Sequence, residues 1–107
     1  MGVFAQRFGA DGAPLGPEFR VNVGEDGKQF HPSVASLPTG GFAVAFHEQP
    51  ADGTARDFEV MVREFDAGGE GLGDEYQMNV FTENAQRNVR ITAAPSGFIA
   101  TWESFGQ

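Results

Sequence analysis

Residues 3–23, VFAQRFGADGAPLGPEFRVNV, lie over residues 60–80, VMVREFDAGGEGLGDEYQMNV, at a constant offset of 57. Identical pairs include Val3/Val60, Phe8/Phe65, Ala10/Ala67, Gly12/Gly69, Leu15/Leu72, Gly16/Gly73, Glu18/Glu75, Asn22/Asn79 and Val23/Val80. The match runs on through Gln29/Gln86 and Val34/Ile91 to Pro38/Pro95. After a one-residue deletion it resumes with Gly41/Gly97, Phe42/Phe98 and Phe46/Trp102. Turn residues and apolar residues recur together, so the chain holds an internal repeat of a supersecondary unit.

Each copy divides into four strand segments. The first, 32–37 or 89–94, ends at a Pro-Thr-Gly-Gly or Pro-Ser-Gly turn. The second is 42–48 or 98–103, the third 58–65 or 3–8, and the fourth 75–79 or 18–22. A Gly-rich hairpin connection, 9–17 or 66–74, joins the third to the fourth. No 3.6-residue periodicity long enough for a helix is present. In Phe42-Ala-Val-Ala-Phe46, one face carries Phe42, Val44 and Phe46 and the other only Ala43 and Ala45. Phe98-Ile-Ala-Thr-Trp102 behaves the same way. A solvated face would carry charge, so both second strands are expected to be covered on both sides. The fourth strands alternate Phe19 and Val21 with Glu18 and Arg20, and Tyr76 and Met78 with Glu75 and Gln77, as a half-exposed outer strand does.

A four-stranded unit repeating about every 50 residues is propeller-like. The stretch PSVASLPTGGFAVAF followed by VREFDAGGEGLGDEYQMNV resembles tandem repeats of large bacterial secreted, RTX-like or adhesin-like proteins. Those read roughly P-x-V-A-x-L-x-D-G-G-F-V-V-x-W-x-S and then Q-R-F-D-A-x-G-x-x-x-G-x-E-F-x-V-N. The resemblance implies propeller blades and an extracellular setting, and it marks a framework, with no active site. The Gly-Gly-x-Gly-x-Asp calcium nonapeptide of RTX proteins is absent.

The expected fold is all-β, a β-propeller with two four-stranded blade equivalents per chain. They divide as a half blade over 2–22, a full blade over 30–79 and a half blade over 88–104, all in one repeat domain, 1–107. Two blades cannot close a ring that needs about four to eight. The expected partner is therefore the chain itself: the closing half of one copy joins the opening half of the next, head to tail, and three copies are favoured. The alternatives are an eight-stranded β-sandwich and a piece of a longer propeller chain.

Composition narrows the function. The 107 residues include 11 Phe and 15 Gly and are 40% hydrophobic, enough for one packed β domain. There is no Cys, so neither disulfides nor thiolate metal sites stabilise so small a chain, which favours oligomerisation or a metal held by oxygen ligands. A net charge of −8 argues against nucleic acid and anionic membranes, and no apolar run reaches the ~18 residues of a membrane span.

Few residues offer chemistry. His31 and His47 have no partner at a catalytic spacing, and the repeat replaces them with Asn88 and Glu103. Glu48, Asp52 and Asp57 bracket a Gly-containing loop and could hold Ca²⁺, although they supply too few oxygens alone and Arg56 sits among them. Glu25-Asp-Gly-Lys28 reads as a plain turn. Gly12, Gly16, Gly69, Gly71 and Gly73 lie between strands, with no helix to bind phosphate, and read as turn glycines. Trp102, Glu103, Ser104 and Gln107 combine an aromatic face with hydrogen-bonding groups, the ingredients of a sugar platform. Phe46, His47, Glu48 and Gln49 form a second version. The sequence thus points to a non-catalytic, multivalent glycan-binding or adhesion module. A structural assembly unit without a small ligand is the alternative, and a carboxylate-dependent hydrolase is a third, less favoured class.

Overall fold

Strong β-formers alternating along 42–49 and 59–65 place two long strands side by side, and the rest of the molecule is arranged around them. The computed structural model describes residues 2–23, 27–49, 59–78 and 86–104. Its elements are β1 (Phe4–Ala5), β2 (Phe19–Arg20), β3 (Lys28–Ser36), β4 (Phe42–Gln49), β5 (Glu59–Phe65), β6 (Tyr76–Gln77), β7 (Gln86–Ala94) and β8 (Gly97–Ser104). The protein is all-β, and no helix occurs among the described residues.

The strands form three antiparallel sheets: a central four-stranded sheet in the order β3-β4-β5-β6, a hairpin β1-β2 and a hairpin β7-β8. Strands β4 and β5 of the central sheet are packed on both faces. Val44, Phe46, Met61 and Phe65 on one face pack against Val3 and Val21 beside β1 and β2, with Ala5 and Phe19 at the margin. Ala43, Ala45, Val60 and Val62 on the other face pack against Val89 and Ile91 of β7, with Phe98, Ala100 and Trp102 of β8 at the margin. The period-2 alternation of a strand divides these two sets. The small residues Ala43 and Ala45 lie on the β7 side, as a tightly covered strand requires.

The spacing of 57 recurs in the backbone. Isolated bridges join Phe8 to Pro14 and Phe65 to Gly71. The Val21 amide donates to Val3 O at 2.8 Å, and the Met78 amide to Val60 O at 2.8 Å. Register breaks fall between Phe30 and Ser33 and between Arg87 and Arg90. At those bulges His31 and Asn88 both take positive φ, 53° and 56°. Asn and His tolerate this left-handed region better than most residues. Gly12, Gly16, Gly69 and Gly73 also have positive φ, as turn glycines do.

Two sequence expectations shift in extent. The first strands begin at Lys28 and Gln86, ahead of residues 32 and 89, because each passes through its bulge. Pro32 sits at the irregularity, where its missing N–H leaves no ladder bond unmade. The segments expected over 3–8 and 18–22 form regular strands only at Phe4–Ala5 and Phe19–Arg20.

Candidate functional site

Of the four β4 residues expected to form a sugar platform, Phe46 and His47 lie inside the stack. Phe46 and His47 are fully enclosed and offer no ring face to a solute. Phe30, opposite His47 across the β3–β4 pair, stacks on it at 5.7 Å between ring centroids. The Val89 amide donates to His47 Nε2 at 3.1 Å, tying the central sheet to β7. An accepting Nε2 makes Nδ1 the protonated nitrogen of the neutral ring, and Nδ1 has no hydrogen-bond partner among the described residues. Burial, assisted by nearby His31, pushes His47 down to about 4. Its side chain is a neutral structural acceptor.

Glu48 and Gln49 are half-buried at the end of β4. Gln29 Nε2 donates to Glu48 Oε1 at 3.3 Å, and Glu59 lies directly opposite Glu48 on β5. Burial raises the Glu48 carboxyl above the usual range. Gln29 opposes that rise, while Glu75 and Glu59 add to it. Asp52 and Asp57, the other two expected calcium ligands, lie outside the described residues. Among the described residues no three His, Cys, Asp or Glu side chains gather as a metal site.

On β8, Trp102 is half-buried against the cluster of Ala43, Ala45, Val60, Val62, Val89 and Ile91. Glu103 is exposed and accepts a hydrogen bond from Asn88 Nδ2. Ser104 ends the strand, and Gln107 lies outside the described residues. The Trp102 ring packs against that cluster and stays partly exposed.

A concavity lies elsewhere. A cleft of about 360 Å³ opens between the β1-β2 hairpin and the central sheet, lined by Phe4, Ala5, Arg7, Phe19, Val34 and Phe42 among others. Strand β1, which supplies Phe4 and Ala5 to the lining, has β2 on one side and no strand on the other among the described residues. Strand β8 likewise has β7 on one side and no strand on the other among the described residues. Among the described residues, the β1 and β8 edges therefore lack the strand that their repeat counterparts β5 and β4 have beside them.

Compared with protein-family models, curated proteins and solved structures, the chain matches none. What the site can do must therefore be read from its own packing.

Burial at repeat-equivalent positions is sharply unequal. Phe65 is 2% exposed and Phe8 58%; Met61 is 9% and Phe4 53%; Ile91 is 7% and Val34 63%; Ala43 is 0% and Ile99 57%. The buried members lie within the stack of the central sheet and its flanking hairpins, whereas Phe4 and Ile99 lie on strands with one neighbour among the described residues and Val34 faces the cleft. Ile99 departs from the expectation that both second strands are covered on both sides, because no sheet lies over that face of β8 among the described residues; Phe4, Phe8 and Val34 were not singled out from sequence. The signal was available, since each aligns with a core residue of the other copy.

Proposed function

We propose that the chain is a non-catalytic, self-assembling β module that contributes two blade equivalents to a closed propeller ring, with three copies as the favoured number. The observation that carries this reading is the burial of Phe65, Met61, Ile91 and Ala43 beside the exposure of Phe8, Phe4, Val34 and Ile99. Large apolar side chains in water weaken a domain of 107 residues, and covering them is the main stabilisation open to it. Closed propellers manage strand edges by radial repetition, and a head-to-tail contact between identical chains supplies that repetition.

A glycan platform on β8 competes with this reading for one surface. Trp102, Glu103 and Ser104 lie on the edge strand that assembly would cover, and the Trp102 ring is already engaged by the core. Assembly is therefore placed first.

Thermal melting at protein concentrations spanning 100-fold tests the proposal. Assembly coupled to folding makes the midpoint rise with concentration, by mass action. A midpoint that stays constant across the series contradicts it.

A further inference from the structure

The central sheet serves as a template for what covers the two open edges. Within it, β4 pairs with β5 so that Phe42 faces Phe65, Ala45 faces Val62 and Phe46 faces Met61. The β3–β4 and β7–β8 pairs agree at the repeat offsets: Ser33 faces Ala45 as Arg90 faces Thr101, and Val34 faces Val44 as Ile91 faces Ala100. Strand β8 is thus a counterpart of β4, and the 3–8 segment a counterpart of 60–65. In a single copy these two counterparts are not paired with each other.

Resting on the assembly reading, we infer that β8 of one copy pairs antiparallel with β1 of a second copy, with Phe98 opposite Phe8, Thr101 opposite Ala5 and Trp102 opposite Phe4. The pairing continues a packing the molecule already contains, in which β7 and β8 lie over one face of the central sheet. The cleft occupies the corresponding place over the other face, beside β1. A β7-β8 hairpin from a second copy, seated there, directs Ile99 and Thr101 onto the wall formed by Val34, Phe42 and Val44, as Ala43 and Ala45 are directed onto β7. Ile99 is bulkier than its counterpart Ala43, and the cleft supplies the room.

The same pairing completes an aromatic cluster. Within one copy Phe42 and Phe65 stack at 4.9 Å with 14° between planes, and Phe19 lies 5.3 Å from Phe65 and 6.2 Å from Phe42. Their repeat counterparts are Phe98, Phe8 and Tyr76. Phe98 and Tyr76 belong to adjacent sheets of one copy, and Phe8 arrives from the next. Phe8 and Tyr76 are exposed in the single copy, as members of an unfinished cluster would be.

The chain has no native Cys, so an engineered disulfide reports register directly. A variant carrying Ala5→Cys and Thr101→Cys is oxidised and run on a non-reducing gel beside a slipped control carrying Gln6→Cys and Thr101→Cys. A one-residue slip turns the side chain to the opposite face, where disulfide geometry fails. The expected result is covalent oligomers from the first pair, at least ~10-fold more abundant than from the control. On the unmodified chain, amide exchange along 4–7 and 98–103 is expected to slow as concentration rises. Oligomers that form without this cross-link and without this protection overturn the pairing and leave assembly standing. A chain that stays monomeric at every concentration overturns both.

Discussion

Phe65 and Phe8 occupy the same repeat position, one inside the molecule and one on its surface, and truncating each measures what the position is worth in two settings. Phe65 is buried, stacked on Phe42 and touching Phe19, with the Arg63 guanidinium 5.1 Å from its ring centre. Phe→Ala at such a site costs ~3–5 kcal/mol, which includes the cavity left behind. A domain of this size has roughly 5–15 kcal/mol in all, so Phe65→Ala should remove a large part of its stability. At ~4–8 °C per kcal/mol the melting point falls by roughly 20 °C. Phe8 keeps more than half its surface in water within one copy. Its truncation there forfeits under half of a ~1.5–3 kcal/mol burial term, about 1 kcal/mol. Once Phe8 enters the cluster with Phe98 and Tyr76 of a second copy, its loss should approach that of Phe65. Urea denaturation of wild type and both variants, at one dilute and one concentrated condition, reads these quantities. Phe65→Ala losing less than about 1 kcal/mol refutes the packing argument. Phe8→Ala gaining stability with concentration as fully as wild type does refutes the shared cluster.

Other outcomes follow from single contacts. His47, held down to about 4 by burial and then by His31, is neutral in both folded and unfolded chains above about pH 6.5. As pH falls from there toward 4 the unfolded chain takes up a proton that the folded chain refuses. Stability should therefore decline across that window, and His47→Gln should flatten a melting-point series against pH. Gly41 is buried, and a Cβ built there lies 2.0 Å from Phe65 O. Gly41→Ala should force β4 from β5 and cost ~1–3 kcal/mol or more by urea titration. Arg63 donates from Nη1 to Val21 O at 2.9 Å and from Nε to Gly73 O at 3.1 Å, joining the central sheet to the residue after β2. Arg63→Lys loses that fork and should cost ~1 kcal/mol in the same titration.

The stacked arrangement was legible because β4 declares it. Ala43 and Ala45 alternate with Val44 and Phe46, and a strand with no polar face needs cover on both sides. The turns were legible from Gly and Pro. The bulges were not. His31 was weighed for its imidazole, whereas its structural role is the positive φ it shares with Asn88, one repeat away. The burial of His47 was also hidden, because its repeat partner Glu103 is exposed. The difference lies in the surroundings: His47 faces Val60 across β5, while no strand borders Glu103 on that side among the described residues. Sequence alignment equates the two positions, but His47 has β5 beside it and Val89 of β7 against its ring, and Glu103 has neither counterpart among the described residues. The same reasoning relocates the surface of interest from the polar residues of β4 to the apolar ones on β1, β3 and β8.

Native mass spectrometry of the unmodified chain, across a dilution series, counts the copies in the assembled species and so tests most directly whether the open edges are closed by sister chains. One closed species of three chains, giving six blades, is the predicted result. A monomer as the sole species throughout the series contradicts the account.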